Sequence, residues 1–95
     1  MFDNERYLTR GVEDKIPLPM QLFMWSCIDR LPEERDYLQV FTLEPMGEIM
    51  QRITHSSEEP AYRMTYLIPT DSPITAKLYV IDSDTYSTML LAEEY

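Results

Sequence analysis

The sequence predicts an α+β fold in two layers: a mostly antiparallel sheet of about five strands with one main helix, at about residues 17–31, packed on it. One stretch places apolar residues at helical spacing. Most of the rest alternates apolar and polar residues with the period of two typical of strands. The connections between the alternating stretches are short, which favours hairpins and therefore antiparallel pairing. The chain has 95 residues, the length of a single domain, and we expect residues 1–95 to form one.

A charged connector separates the first strand candidate from the helix. The strand candidate spans residues 7–10 and the connector spans residues 12–16. Pro17 and Pro19 are tolerated only in the first turn of a helix, so they set its start. Pro32 sets its end, because the residue before a proline avoids the helical region of φ and ψ.

Five alternating stretches follow the helix. In the first of them, both faces carry apolar side chains, which predicts a central strand. The third has the cleanest one-sided alternation, as in a strand with one buried face. The last fits a strand or a short helix, and its β-branched and aromatic residues favour a strand. In order, these strand candidates are 37–43, 48–54, 62–68, 74–80 and 86–91.

Charge and cysteine content limit the function classes and the location. The chain carries 17 acidic and 8 basic residues, a net charge of −9. Phosphate backbones and anionic bilayers repel such a surface, so we expect no direct nucleic-acid binding and no membrane association, whereas a basic protein partner is compatible. The single cysteine, Cys27, excludes an intrachain disulfide, and residues 1–6 lack the apolar run of a signal peptide. The sequence therefore predicts a cytoplasmic protein.

The helix at 17–31 is more apolar than docking on a sheet requires. One broad stripe accounts for docking, and a second apolar cluster of Leu18, Leu22 and Trp25 lies on the side predicted to face water. Either residues 56–60 or the N-terminal segment folds over this cluster, or it is left open for a partner. Tryptophan is common at the centre of interfaces, so these three are the candidate interaction residues. The docking stripe consists of Met20, Phe23, Met24, Cys27, Ile28 and Leu31.

His55, the only histidine, is the one candidate general base. Two serines and two glutamates follow it, but adjacent residues on an extended chain point to opposite sides. Their proximity in sequence therefore does not indicate a catalytic triad, and we interpret His55 as a loop histidine with a local hydrogen bond. Cys27 lies on the docking stripe, where a buried thiol behaves as a small hydrophobic group rather than as a nucleophile.

Metal and cofactor sites find little support in the sequence. Asp82 and Asp84 match the first two ligands of a calcium loop and Glu93 matches the last. Tyr86 and Ser87, however, stand where the loop needs its third ligand and its glycine. We interpret the segment as a turn in which side-chain oxygens accept hydrogen bonds from nearby backbone amides. One cysteine and one histidine argue against zinc, and only two glycines argue against a phosphate-binding loop, so we expect no metal and no cofactor.

Four segments together resemble a known family. They are Tyr-Leu-Thr-Arg-Gly-Val at 7–12, the helix with Leu-Phe-Met-Trp-Ser at 22–26, Asp-Tyr-Leu-Gln-Val-Phe at 36–41, and the ending 75–95. Over nearly its whole length the chain resembles a family of small acidic proteins of Gram-positive bacteria and their mobile elements. That family is catalogued only as a domain of unknown function. The resemblance implies a bacterial, cytoplasmic protein and carries over no catalytic residues.

Three functions are compatible with these observations. The first is a non-enzymatic interaction module, which binds a protein partner or a second copy of itself through Leu18, Leu22 and Trp25. The second is an acidic decoy that occupies the DNA-binding surface of another protein, which requires carboxylates in a regular double row. The third is a small enzyme centred on His55 with one of the glutamates after it. The surplus apolar helix surface favours the first, and the sequence favours a protein that is not an enzyme.

Overall fold

One six-stranded sheet with a main helix on one face forms the framework of the computed structural model, which describes residues 1–95. The α+β class and the mostly antiparallel sheet agree with the sequence prediction, but the sheet has six strands and not about five. The strands are β1 (Glu5–Leu8), β2 (Leu38–Pro45), β3 (Met50–Glu58), β4 (Ala61–Pro69), β5 (Ala76–Asp82) and β6 (Tyr86–Leu91). The helices are α1 (Arg10–Lys15) and α2 (Leu18–Asp29), and a short 3-10 helix, Ala92–Glu94, ends the chain.

The strand order, β1-β6-β5-β2-β3-β4, places the two ends of the chain side by side. β1 and β6 are parallel, and every other neighbouring pair is antiparallel. The region 86–91 is a strand, as predicted, and β2 lies between two neighbours, as expected of a strand that is apolar on both faces. The strand candidate at 7–10 corresponds to β1, which lies at Glu5–Leu8, and no hairpin signals its pairing with a strand about 80 residues away.

The N-terminal segment is fixed to the sheet by hydrogen bonds to the turn between β5 and β6. The carboxylate of Asp82 accepts from the backbone N–H of Phe2 at 3.1 Å and from Nδ2 of Asn4 at 2.9 Å. The hydroxyl of Ser87 donates to Oδ1 of Asn4 at 2.6 Å. The Phe2 side chain is fully buried in the core. This anchoring brings β1 into register with β6 despite the short length of β1.

Residues 12–16, predicted to be a connector, belong largely to α1. Thr9 caps the helix, since its hydroxyl oxygen accepts from the N–H of Val12 at 3.3 Å. Gly11 lies against the end of the chain: a Cβ there would lie 2.7 Å from Oε2 of Glu94, so a larger residue would displace the Glu94 side chain. The carboxylate of Glu94 also accepts from the hydroxyl of Thr9 at 2.6 Å and ties the end of the chain to the start of α1.

α2 packs over the middle of one face of the sheet. It begins at Leu18, directly after Pro17, and ends at Asp29, two residues before the predicted end. Five of the six residues of the predicted docking stripe are buried, and Phe23 is partly buried against the core. The stripe prediction is therefore confirmed. The strands contribute seven core residues, and Phe2, Val12 and Ile16 complete the core. The seven are Phe41, Leu43, Ile53, Leu78, Val80, Met89 and Leu91.

The face of the sheet opposite α2 receives part of its cover from the end of the chain. The ring of Tyr95 packs edge to face against that of Tyr79, with 5.2 Å between the ring centres. Tyr95 is 71 % exposed, so it shields Tyr79 without being buried itself. The C-terminal residue thus lies on the sheet.

Candidate interaction surface

Leu18 and Leu22 lie one turn apart on the side of α2 that faces away from the sheet. They are 62 % and 60 % exposed. Large aliphatic side chains this open, side by side on a helix whose opposite stripe is fully packed, have no partner within the chain. Their angle on the helix predicts that these residues face water, and the structure places them there.

Trp25, the third residue of the predicted cluster, is half-buried because the N-terminal strand covers it. The guanidinium of Arg6 lies 4.8 Å from the centre of the indole ring, within the range of a cation–π contact. The carboxylate of Asp29, one turn further along α2, forms an ion pair with the same guanidinium. The sequence left two segments as covers for the cluster, residues 56–60 and the N-terminal segment. The N-terminal segment covers Trp25 but neither of the two leucines.

A cleft extends this apolar surface towards β1. It has a volume of about 530 Å³, and both Leu8 and Leu18 line it. Glu13 and Asp14 line the same cleft together with Lys15, so its charged groups are two carboxylates and one ammonium. Leu8 is 36 % exposed. It was not among the predicted interaction residues, because only the parallel β1–β6 pairing brings it beside α2. We call Leu8, Leu18, Leu22 and Trp25 the α2 surface.

His55 is a buried strand residue and not a loop histidine as predicted. Its Nε2 lies 2.7 Å from Oε1 of Gln39, and an amide oxygen only accepts, so Nε2 carries the proton. Its ring stacks on Phe41, with 4.3 Å between ring centres, and meets the edge of Tyr62 at 5.0 Å. Nδ1 is buried without a hydrogen-bond partner.

This environment argues against His55 as a catalytic base. Burial lowers the pKa of His55 to about 4, so the imidazole is neutral at neutral pH. The side chain is fully buried, and its hydrogen bond goes to an amide and not to a serine or a glutamate. A general base has to reach a proton on a substrate, and this one is separated from solvent. The enzyme hypothesis therefore gains no support from the geometry.

Cys27 and the Asp82–Asp84 segment have structural roles. Cys27 is 1 % exposed in the core, and burial raises the pKa of its thiol, so it is not activated as a nucleophile. Burial would by itself raise the pKa of Asp82, but hydrogen bonds from Asn4, Asp84 and Phe2 outweigh that effect and lower it. The N–H of Asp84 donates to Asp82 at 2.9 Å, as expected of a turn. No three histidine, cysteine or acidic side chains converge in a geometry that could hold a metal ion.

The carboxylates are distributed over both ends of the sheet. At one end lie the connection from α2 to β2 and the β3–β4 hairpin, where the N–H of Glu59 donates to Asp36 at 3.0 Å. At the other end lie α1 and the C-terminal residues, where Lys15 and Glu93 form an ion pair at 3.5 Å. The regular double row of carboxylates that the decoy hypothesis requires stays a prediction. Neither helix has the length and apolar character needed to cross a bilayer.

Comparison with known proteins gives a family and a fold. Residues 5–94 match the family model described as "Staphylococcal protein of unknown function (DUF960)". No curated protein matches the chain. The fold is similar to the "Crystal structure of the protein of unknown function from Enterococcus faecalis", with a TM-score of 0.80, 24 % identity, and coverage of 98 % of this chain and 92 % of that chain. The resemblance to a Gram-positive family of unknown function is thereby confirmed, and the link to mobile elements stays a prediction.

Proposed function

We propose that this protein, which belongs to the DUF960 family, is a non-enzymatic protein-binding module of the cytoplasm. Its α2 surface binds an apolar segment of a partner protein that carries basic residues beside its apolar ones. The observation that supports this proposal is the pair of neighbouring leucines, Leu18 and Leu22, each about three-fifths exposed on the main helix. Apolar patches rimmed by polar groups are typical of interaction sites.

The two leucines and Trp25 form a suitable anchor for a partner. Covering a leucine that is 60 % exposed, such as Leu22, stabilises a complex by about 1–2 kcal/mol, which corresponds to roughly tenfold in affinity. Trp25 is already held in one orientation by Arg6, so it loses little conformational entropy when a partner packs on it. Rigid aromatic anchors beside exposed aliphatic residues are the usual composition of an interface centre.

Charge indicates the kind of partner. Glu13 and Asp14 line the cleft beside Lys15, whose ammonium pairs with Glu93, so the charged rim is acidic on balance. The whole chain carries a net charge of −9. A second copy docked on this surface would bring the same carboxylates face to face, which is unfavourable. A partner with lysine or arginine beside its apolar residues complements the rim and is attracted over a distance of about a Debye length.

Binding of a model peptide tests the proposal. The probe is a tryptophan-free peptide with leucine and lysine at helical spacing, and the readout is the fluorescence of Trp25, the only tryptophan in the chain. We expect saturable binding with a blue shift of the emission, because the indole loses water. Leu22→Asn should weaken binding about tenfold.

Two controls separate the α2 surface from general attraction to an acidic protein. Ile49→Asn removes an apolar side chain that is 70 % exposed in the turn between β2 and β3, outside the α2 surface, and should leave the affinity unchanged. A peptide of equal charge with alanine in place of leucine should not shift the emission. Equal binding of both peptides, or equal weakening by both variants, would contradict a specific role for the α2 surface.

A further inference from the structure

β4 is a long, nearly uncharged strand at the edge of the sheet. It has nine residues and pairs with β3 on one side only. Met64 and Leu67 are 46 % and 51 % exposed. Natural edge strands are usually short, charged or covered, since their free N–H and C=O groups otherwise pair with another chain. Among the nine residues of β4, Arg63 is the only charged one, and none is a carboxylate.

We propose that β4 is a self-association interface, through which two copies of the chain pair antiparallel about a twofold axis at Thr65. In this arrangement the two sheets become one continuous sheet of twelve strands, six from each copy. Residues that pair directly in an antiparallel ladder lie on the same face. The two α2 helices therefore lie on the same face of the joined sheet.

The register centred on Thr65 fits the sequence of β4 best. It is the only register in which all nine residues of each strand find a partner in the other. Thr65 meets Thr65, Met64 meets Tyr66, and Arg63 meets Leu67, all of which are favourable or neutral cross-strand pairs. The two Arg63 side chains are then about four residues apart along the strands, roughly 14 Å, which exceeds the Debye length at physiological salt. A register centred on Arg63 would place like charges directly opposite each other.

Charge also favours self-association through β4 over self-association through other parts of the surface. The chain carries a net charge of −9, so most faces of two copies repel, but the residues 60–70 contain no carboxylate. Only the ends of the paired strands bring acidic residues together, where Glu59 of one copy approaches Asp71 of the other. Because salt screens such exposed charges, we expect the association to strengthen as the salt concentration rises.

Sedimentation velocity over a wide concentration range tests the proposal. We expect the wild type to form a dimer, and Thr65→Lys to raise its dissociation constant about five- to tenfold, because two lysines then lie opposite each other on the twofold axis. Thr65 is exposed, so the lysine does not disturb the core. Thr75→Lys makes the same change at an exposed position outside β4 and should leave the dimer intact.

A cysteine at the proposed axis tests the register independently of the lysine variant. Residues directly opposite in an antiparallel pair have Cα atoms about 4.5–5.5 Å apart, within the range that a disulfide spans. Under mild oxidation, Thr65→Cys should form a covalent dimer much faster than Thr75→Cys. Cys27 is buried, so it does not compete.

Two results would overturn the proposal. One is a wild type that stays monomeric at the highest concentration. The other is a dimer that Leu22→Asn dissociates and Thr65→Lys does not, because self-association would then use the α2 surface. Peptide binding at the α2 surface can succeed or fail independently of both results, so the two proposals are separable. An unrelated extended strand that binds to β4 while the chain itself stays monomeric also counts against pairing between two copies.

Discussion

The two edges of the sheet differ in length, charge and cover. β1 has four residues, and two of them, Glu5 and Arg6, are charged. Arg6 turns back over Trp25 and pairs with Asp29, so the core-facing side of this edge is partly closed. β4 has nine residues with a single charge, and nothing folds across its free side. The same sheet thus has one edge protected against pairing and one edge open to it, which suggests different partners for the two sides.

The two sides also differ in how well their buried polar groups are satisfied. Beside β1, the side chains of Asp82, Asn4 and Ser87 form a hydrogen-bonded cluster in which each has a partner. On the side of β4, His55 pairs in register with Met64 and has an unpartnered Nδ1. A buried polar atom without a partner costs stability. The β4 side is therefore the one that carries an unsatisfied buried polar atom.

The largest loss of stability is expected from Phe2→Ala, which removes the buried side chain that anchors the segment before β1. The ring is fully buried, and the backbone of Phe2 has a φ of +68°, a conformation that residues other than glycine rarely adopt. Removing the ring leaves a cavity and should lower the free energy of unfolding by about 3–5 kcal/mol in urea denaturation. Hydrogen exchange should accelerate most in β1 and β6.

Asp3→Ala is the control for this change. The Asp3 side chain is 90 % exposed, so the substitution should cost less than about 0.5 kcal/mol. Association through β4 should be the same in both variants wherever they are folded, because the two edges are separated by the width of the sheet. A dimer weakened by Phe2→Ala alone would show that the edges are coupled.

The next largest effect is a loss of stability at low pH, which depends on His55 on the β4 side of the sheet. The pKa of His55 falls from 6.5 to about 4 on folding, so between these values the unfolded chain binds more protons than the folded one. Stability is therefore complete above the unfolded pKa and is lost as the pH falls towards the folded one. From about pH 7.5 to about pH 5, the free energy of unfolding should fall by about 2 kcal/mol in urea titrations at each pH.

His55→Gln isolates this contribution, because the chain has no other histidine. The variant should be less stable at neutral pH, since it loses the stacking on Phe41, but its stability should barely change over the same pH range. Protonation of His55 should also loosen the β3–β4 pairing first. A wild type whose stability is flat between these pH values would show that the imidazole is not desolvated.

The sequence predicted the parts of the fold that local patterns determine. Pro17 and Pro32 bracket α2, and the helical spacing of its apolar residues identified the side that packs on the sheet. Period-two alternation identified the strands that hairpins join. The pairing of β1 with β6 was missed because it depends on hydrogen bonds across the whole chain, such as the one from Phe2 to Asp82. Such long-range pairing leaves no local pattern in the sequence.

The candidate site was predictable only in part for the same reason. The exposure of Leu18 and Leu22 follows from their angle on the helix relative to the docking stripe. The cation–π cover on Trp25 and the contribution of Leu8 both come from β1, so they require the tertiary pairing. The burial of His55 likewise depends on Gln39, which the neighbouring strand β2 supplies. Gln39 lies among apolar residues in the strand predicted at 37–43. This polar residue was the one signal in the sequence for its pairing with His55.

The smallest effect is expected from opening the cover on Trp25 with Arg6→Gln. The ion pair with Asp29 is partly exposed and the cation–π contact is a single one, so together they contribute about 0.5–1 kcal/mol. The emission of Trp25 should shift to the red, because water reaches the uncovered indole face. Arg10→Gln, an exposed residue of α1, should change neither stability nor emission. If Arg6→Gln strengthens binding of the leucine–lysine peptide, then Arg6 competes with partners for Trp25; if it weakens binding, Arg6 instead holds the ring in place for them.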